Sequence, residues 1–258
     1  MNKKLIFMDL DGTILDHSTN SIPESARNTI KELQNNGHTV IISTGRCPSI
    51  FYGIDKELGI KSYIAANGRY VLHNGEVLLN DYIDKEVVQK LVDMAYSNKI
   101  DIAFEDADDY VLNSDFTELS GEFSKVFHLH QPLVNHNYHL THDILQMVMF
   151  YNGDDYLKFE TEFPTLSFHF ANEYGLDINE KGGMKEIGVK VLVEKLGYSY
   201  EDTIAIGDGF NDISMIEIVG TGIAMGNANE ELKETADFVT DDISNDGLYK
   251  AFKKLKLI

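Results

Sequence analysis

The stretch that decides the fold is Leu5-Ile6-Phe7-Met8-Asp9-Leu10-Asp11-Gly12-Thr13. Its first four residues are apolar, which is typical of a strand buried on both faces in a parallel sheet. Because side chains alternate along an extended segment, Asp9 and Asp11 are expected to point to the same side. Gly12 then permits a sharp turn of the backbone. The stretch therefore predicts two acids that share one space at the carboxyl end of a buried strand.

A helix and a second buried strand follow this stretch. Ser21-Ile22-Pro23-Glu24 places proline and an acid where helices begin, and Gly37 ends the apolar periodicity. The next strand, Thr39-Val40-Ile41-Ile42-Ser43, runs into Thr44-Gly45-Arg46. This spacing predicts a right-handed parallel βαβ unit. Polar residues again follow the strand at its carboxyl end, where ligands of open α/β sheets bind.

The same alternation returns in the last third of the chain. A helix pattern begins near Met184, and the buried strand at 203–206 runs into Gly207-Asp208-Gly209-Phe210-Asn211-Asp212. Between the two halves, strand and helix patterns of a different order predict a separate α+β domain. We therefore predict an α/β fold: a doubly wound, mainly parallel, Rossmann-like core of residues 1–80 and 182–258, with a smaller domain inserted at 81–181.

Composition and charge limit the partners. The chain has 22 Lys and Arg against 42 Asp and Glu, a formal net charge of -20. This balance argues against nucleic acid or an anionic membrane as a partner, since both need cations on the contact surface. It leaves the oligomeric state open.

Two further features concern location. Met1 to Lys4 is basic, but only four apolar residues precede Asp9, too few for a secretory or membrane segment. The single cysteine, Cys47, cannot form an internal disulfide and is expected to be a small buried residue. Together they predict a cytoplasmic location.

Taken in order, the polar residues at the strand ends resemble the four motifs of the haloacid dehalogenase (HAD) superfamily: Asp9 and Asp11, then Thr44, then Lys185, then Asp208 and Asp212. Ser-Thr-Gly-Arg at the second motif, Asn67-Gly68, Gly-Asp-Gly-x-Asn-Asp at the fourth and the segment 224–228 are similar to the Cof-type subfamily. That resemblance implies a C2-type α/β cap at 81–181. It also implies a magnesium-dependent phosphatase of a small phosphorylated metabolite.

The resemblance implies a role for each acid. Asp9 would attack phosphorus and form an aspartyl-phosphate, and Asp11 would act as general acid and then general base. Mg²⁺ would be held by Asp9, Asp208 and the backbone carbonyl of Asp11, with Asp212 nearby, directly or through water. Magnesium prefers such hard oxygen ligands.

The resemblance also implies the residues that hold the phosphoryl group. Thr44 would donate its hydroxyl to a phosphoryl oxygen, and Lys185 would neutralise charge and restrain Asp9. Asn211 is a further candidate for a phosphate contact.

The family usually has glycine after the third-motif lysine, whereas Glu186 follows Lys185. Lys181 does precede a glycine, but its distance from the fourth motif favours Lys185.

Alternative functions remain at this point. A phosphomutase shares the same motifs and cap, and differs by transferring phosphate to a second hydroxyl. A third possibility is a protein that binds phosphorylated metabolites without catalysing a reaction. The presence of every motif residue argues against it.

Five of the nine histidines lie between His128 and His142. No His-x3-His pair there lies on a clear helix, so we expect a polar cap segment rather than a metal site.

Overall fold

The computed structural model describes residues 2–114, 117–130 and 132–258. The helices are α1 Glu24–Asn35, α2 Ile54–Glu57, α3 Lys85–Asn98, α4 Glu118–Val126, α5 Leu157–Glu162, α6 Lys185–Leu196, α7 Ile213–Ile218, α8 Glu230–Thr235 and α9 Gly247–Lys254. The strands are β1 Leu5–Met8, β2 Thr39–Ser43, β3 Ser62–Ala65, β4 Tyr70–His73, β5 Glu76–Asn80, β6 Ile102–Glu105, β7 Tyr110–Leu112, β8 Leu133–Val134, β9 Gln146–Met149, β10 Leu166–Asn172, β11 Gly175–Glu180, β12 Thr203–Gly207, β13 Thr221–Ala224 and β14 Phe238–Val239. Within these described ranges, no helix has the length and apolarity needed to cross a membrane.

The chain folds as two compact units. The first unit comprises Met1–Gly45, Gly53–Leu79 and Met184–Ile258. Its sheet has the order β14-β13-β12-β1-β2-β3-β4-β5, and the strands from β14 to β3 are parallel. The predicted doubly wound, mainly parallel sheet is therefore confirmed.

The central strand β1 is buried on both faces, as its sequence predicts. Ile6 and Met8 belong to one apolar cluster, whereas Leu5 and Phe7 belong to another. Because residues alternate along a strand, these two clusters lie on opposite faces of the sheet. Burial on both faces holds β1 between β2 and β12, so that the three carboxyl ends lie at one edge.

The second unit comprises Asn80–Gly183 and Arg46–Tyr52. Its sheet has the order β10-β11-β9-β6-β7-β8 and is mostly antiparallel. One face packs against α3 through a cluster that includes Phe104 and Leu91. The other face carries a smaller cluster in which Val148 packs with Phe123 of α4. Both faces of this sheet therefore have their own apolar core.

The segment Arg46–Tyr52 belongs to the compact second unit, although it lies within the predicted core segment 1–80. Ile50 packs in the cluster that contains Phe123, and the Ser49 hydroxyl donates to the carbonyl of Asp106 at 3.0 Å. These partners lie more than fifty positions away in the chain, so no local pattern could indicate them.

The sequence signal for one helix of the second unit, α4, is weak. Helix α4 begins at a capping box, in which the Ser120 hydroxyl accepts from the backbone N–H of Thr117 at 2.9 Å. Serine in place of the usual acid at that position makes the signal weak in the sequence.

Candidate active site

Strands β1, β2 and β12 bring three predicted site residues to one edge of the first unit's sheet. Asp9 follows β1, Thr44 follows β2 and Asp208 follows β12. The N–H of Asp9 donates to Ile206 at 2.9 Å, and the N–H of Thr44 donates to Ile64 at 2.9 Å. These bonds continue the sheet beyond the strand ends. Asp9 and Thr44 are therefore held by backbone hydrogen bonds and are buried.

Lys185 lies at the start of α6 and binds two of the acids. Its ammonium is 2.5 Å from Asp9 Oδ1 and 2.5 Å from Asp212 Oδ1. Burial alone would lower the pKa of Lys185, but the charges of Asp212 and Asp9 together raise it, and the ammonium stays protonated. Lys181 is exposed and belongs to the second unit. The structure thus brings Lys185 to the predicted nucleophile.

Asp212 is fully buried, and both of its oxygens accept hydrogen bonds. Oδ1 accepts from Lys185, while Oδ2 accepts from the backbone N–H groups of Asp208 and Gly209, each at 2.9 Å. Asp212 therefore fixes both the loop that carries Asp208 and the ammonium of Lys185.

Asp208 is held by two residues whose roles the sequence did not reveal. The Thr13 hydroxyl donates to Asp208 Oδ1 at 2.9 Å, and the Asn227 amide donates to Oδ2 at 3.3 Å. The same amide also donates to the carbonyl of Gly12 at 2.9 Å. Both residues lie within motifs recognisable in the sequence, but only the folded geometry shows that they bind Asp208.

Gly12 is required by the close approach of Asp208. Its φ is +81°, in the left-handed region, and a Cβ there would lie 2.2 Å from Asp208 Oδ2. Any side chain at this position would displace the carboxylate. The turn after β1 and the position of Asp208 therefore depend on the same glycine.

The acids form a compact cluster. Oxygen atoms of Asp9, Asp208 and Asp212 lie within 4.8 Å of one another. Burial, and then the charge of Asp212, raise the pKa of Asp9 well above its usual range although Lys185 opposes the shift. Burial and Asp212 likewise raise the pKa of Asp208 to about 6. A divalent cation would relieve this repulsion, and carboxylate oxygens are the donors that Mg²⁺ prefers. The donor set fits magnesium.

The remaining predicted residues lie around this cluster. The charge of Asp11 contributes to raising the pKa of Asp9, after burial and the charges of Asp212 and Asp208, as expected for two acids that share one space. The Asp11 carboxylate lies 3.6 Å from His17 Nε2. Asn211 is exposed, and its amide donates to Asn67 Oδ1 at 2.9 Å. Asn67 therefore orients the amide of the predicted residue Asn211.

Three of the five histidines from His128 to His142 make recorded aromatic contacts in the second unit. His142 stacks on Tyr138 with ring centroids 3.9 Å apart, and His130 stacks on Tyr52 at 4.1 Å. In the part of the chain that the structure describes, the cluster of possible metal ligands is the one formed by Asp9, Asp208 and Asp212.

Comparison with known proteins identifies the family. Residues 6–252 match the haloacid dehalogenase-like hydrolases. The chain is 39% identical over 260 residues to YkrA of Bacillus subtilis (strain 168), which is named as a candidate phosphatase, with 100% of both chains covered. It is 29% identical to the 5-amino-6-(5-phospho-D-ribitylamino)uracil phosphatase YcsE of the same organism, over 97% of this chain and 94% of YcsE.

Comparison with a solved structure indicates the same family. The HAD subclass IIB sugar phosphatase BT4131 is 27% identical, with a TM-score of 0.84 and coverage of 99% of this chain and 100% of that one. The chain belongs to the haloacid dehalogenase-like hydrolase family. It is an enzyme of the phosphatase type.

Proposed function

We propose that the protein is a magnesium-dependent phosphatase that hydrolyses a small phosphorylated metabolite through an aspartyl-phosphate on Asp9. The observation that carries the proposal is the contact of Lys185 with Asp9 at 2.5 Å, beside Asp208 at the end of a buried strand. A carboxylate fixed by a buried ammonium is a suitable nucleophile, because its orientation is set before substrate binds.

Asp9 and Asp11 divide the chemistry between them. Because Lys185 holds Asp9 Oδ1, we assign the attack on phosphorus to Oδ2. A bond forms from Asp9 to phosphorus while the ester P–O bond breaks, and Asp11 gives a proton to the leaving oxygen. Asp11 then takes a proton from water, which attacks phosphorus, releases phosphate and restores the Asp9 carboxylate.

Residues around Asp9 would hold the phosphoryl group and the metal. Asp9, Asp208 and the carbonyl of Asp11 would bind Mg²⁺, which when bound neutralises charge on the phosphoryl oxygens. Since both oxygens of Asp212 already have partners, we assign it an indirect role through Lys185 and the loop. Thr44 and Asn211 would contact phosphoryl oxygens.

The inserted domain at 81–181 would recognise the leaving group. Phosphatase relatives of similar length act on different molecules, and their names include a sugar phosphatase and a phosphoribitylamino-uracil phosphatase. The site around Asp9 contains groups suited to phosphate and metal alone. Selectivity is therefore assigned to side chains outside it.

A colorimetric assay with p-nitrophenyl phosphate tests this function. EDTA should abolish turnover, Mg²⁺ should restore it, and Ca²⁺, which is larger and tolerates looser geometry, should restore little. Asp9→Asn should lose at least about a thousandfold in kcat while keeping the native circular dichroism spectrum.

Asp154→Asn is the matched control, because that acid is exposed in the second unit, and it should keep full activity. Full turnover after chelation, or an active Asp9→Asn variant, would contradict the mechanism. Phosphate found on a second hydroxyl of a sugar phosphate, in place of free phosphate, would identify a phosphomutase.

A further inference from the structure

Strand β3 of the first unit ends in a turn whose backbone is strained. Ala66, Asn67 and Gly68 have φ values of +47°, +52° and +94°, all in the left-handed region. We call these three residues the left-handed turn. Glycine adopts this region without cost and asparagine tolerates it, whereas alanine adopts it at a cost. Strain of this kind persists where the surrounding structure holds it in place, and it concentrates at functional sites.

The left-handed turn lies at the sheet edge that carries the candidate site. Strand β3 runs parallel to β2, so the carboxyl ends of both strands lie at this edge. The N–H of Asn67 donates to the carbonyl of Thr44, which follows β2, at 3.2 Å. The backbone of the turn is therefore bonded directly to a residue that we propose to hold phosphate.

Close packing fixes the other end of the turn. A Cβ on Gly68 would lie 2.1 Å from the carbonyl oxygen of Met184 and 3.4 Å from the Cα of Lys185. Any side chain at position 68 would therefore displace the start of α6. The left-handed turn thus packs against the backbone that carries the ammonium bound to Asp9.

The side chain of Asn67 contacts a further residue of the proposed phosphate site. Its Oδ1 accepts a hydrogen bond from the amide of Asn211 at 2.9 Å. A Cβ on Gly45 would lie 3.2 Å from Asn67 Oδ1 and 3.5 Å from Asn211 Nδ2. Both amides therefore lie beside the backbone of Gly45, the residue that follows Thr44.

Asparagine meets two requirements at position 67. It tolerates the left-handed backbone, and its neutral amide accepts the hydrogen bond from Asn211. Glycine would keep the backbone but lose the acceptor, and aspartate would add a negative charge beside an anionic substrate. An amide nitrogen carries two hydrogens. The bond to Asn67 uses one hydrogen of Asn211 and thereby sets the direction of the other.

We propose that Asn67 is a positioning residue for phosphate, which directs the second amide hydrogen of Asn211 at a phosphoryl oxygen. The inference rests on the proposed phosphatase function and adds a residue outside the four motifs. A donor that is oriented before the substrate binds costs no reorganisation when it meets the charge. The strained turn is therefore retained because it supplies this orientation. Loss of the Asn67 amide should weaken phosphate binding and leave Asp9 and Asp11 in place.

Calorimetry with orthophosphate in the presence of magnesium tests this role without turnover. Asn67→Gly keeps the left-handed backbone and removes the amide, so the Kd for orthophosphate should rise about 3- to 10-fold. Asn74→Gly is the matched control, because Asn74 has a φ of +48° in the exposed turn between β4 and β5, and it should keep the wild-type Kd. Asn67→Gly combined with Asn211→Ala should bind no more weakly than Asn211→Ala alone, because Asn67 acts through Asn211.

Nuclear magnetic resonance gives a second measurement, on the unaltered protein. The side-chain amide signal of Asn211, identified by its loss in Asn211→Ala, should shift when orthophosphate is added. The shift should persist in Asn74→Gly and be smaller in Asn67→Gly.

Two results would overturn the proposal: an Asn211 signal that orthophosphate does not move, or a Kd in Asn67→Gly within about twofold of wild type. If p-nitrophenyl phosphate were still hydrolysed, the phosphatase function would stand without this role for Asn67. Phosphate binding that depends on Asn67, in a protein that turns over no phosphomonoester, would support the positioning role and refute the phosphatase function instead.

Discussion

Replacing Lys185 with methionine should destabilise the metal-free protein by about 3 to 5 kcal/mol at pH 8. The substitution keeps an unbranched apolar chain but removes the ammonium that lies 2.5 Å from Asp9 and from Asp212. The side chains of Lys185 and Asp212 are 0% exposed and that of Asp9 is 8% exposed, so water cannot replace the lost partner. Two buried carboxylates would then repel each other without a compensating charge.

The loss should shrink as the pH falls. The pKa of Asp9 is already raised above 3.8 by burial and by Asp212, and Lys185 opposes that shift. Without Lys185, the pKa of Asp9 in the folded protein would be higher still. The folded protein would then keep a proton on Asp9 over a wider range above pH 3.8, where the unfolded chain has already released it. Because the folded state then binds more protons, its stability falls with rising pH and recovers with falling pH, by up to about 1.4 kcal/mol per pH unit.

Urea unfolding at pH 5.5 and pH 8, in EDTA and followed by circular dichroism, measures both effects. Lys190→Met is the matched control, because Lys190 lies on the same helix and pairs with Glu186 at 2.8 Å, but its side chain is 53% exposed. That variant should lose less than about 0.5 kcal/mol. Equal losses for the two variants, or a loss at Lys185 below about 1 kcal/mol at both pH values, would refute the reasoning.

Three further outcomes are expected. Asp11→Asn should slow hydrolysis of sugar phosphates more than that of p-nitrophenyl phosphate, since a good leaving group needs little protonation; similar losses in kcat would argue against the acid role. Thr13→Val removes the hydroxyl that binds Asp208, so a magnesium titration should show a half-saturating concentration raised about tenfold or more, and an unchanged value would exclude this support. Burial, and then the charge of Asp177, raise the pKa of Glu105 in the folded state to about 8, against an ordinary 4.5. The free energy of unfolding should therefore fall as the pH rises from 4.5 to about 8. Glu105→Gln should remove about 2 kcal/mol of this decline between pH 6 and pH 8 in urea unfolding, and an identical pH profile would show that Glu105 ionises freely.

The sequence by itself determined the architecture of the first unit and the positions of the candidate site. Buried strands such as 5–8 and 203–206 are recognisable because they are continuous apolar runs that end in polar residues. In a parallel sheet those ends lie at one edge, which is why Asp9, Thr44 and Asp208 could be grouped without a structure. Lys185 lies at the start of a helix, so the rule that ligand-binding residues follow the ends of parallel strands does not identify it. Its place in the order of the family motifs indicated it instead.

Only the tertiary structure decided which side chains contact one another. The Thr13 hydroxyl meets Asp208 across 195 positions of the chain, and Lys185 meets Asp9 across 176. The grouping of Arg46–Tyr52 with the second unit and the pairing of Glu105 with Gln146 likewise depend on segments that are distant in sequence. Local periodicity reports which face of an element is buried, but not which distant element covers it. The partners, and with them the buried charges that set the pKa values, therefore become known only when the chain is folded.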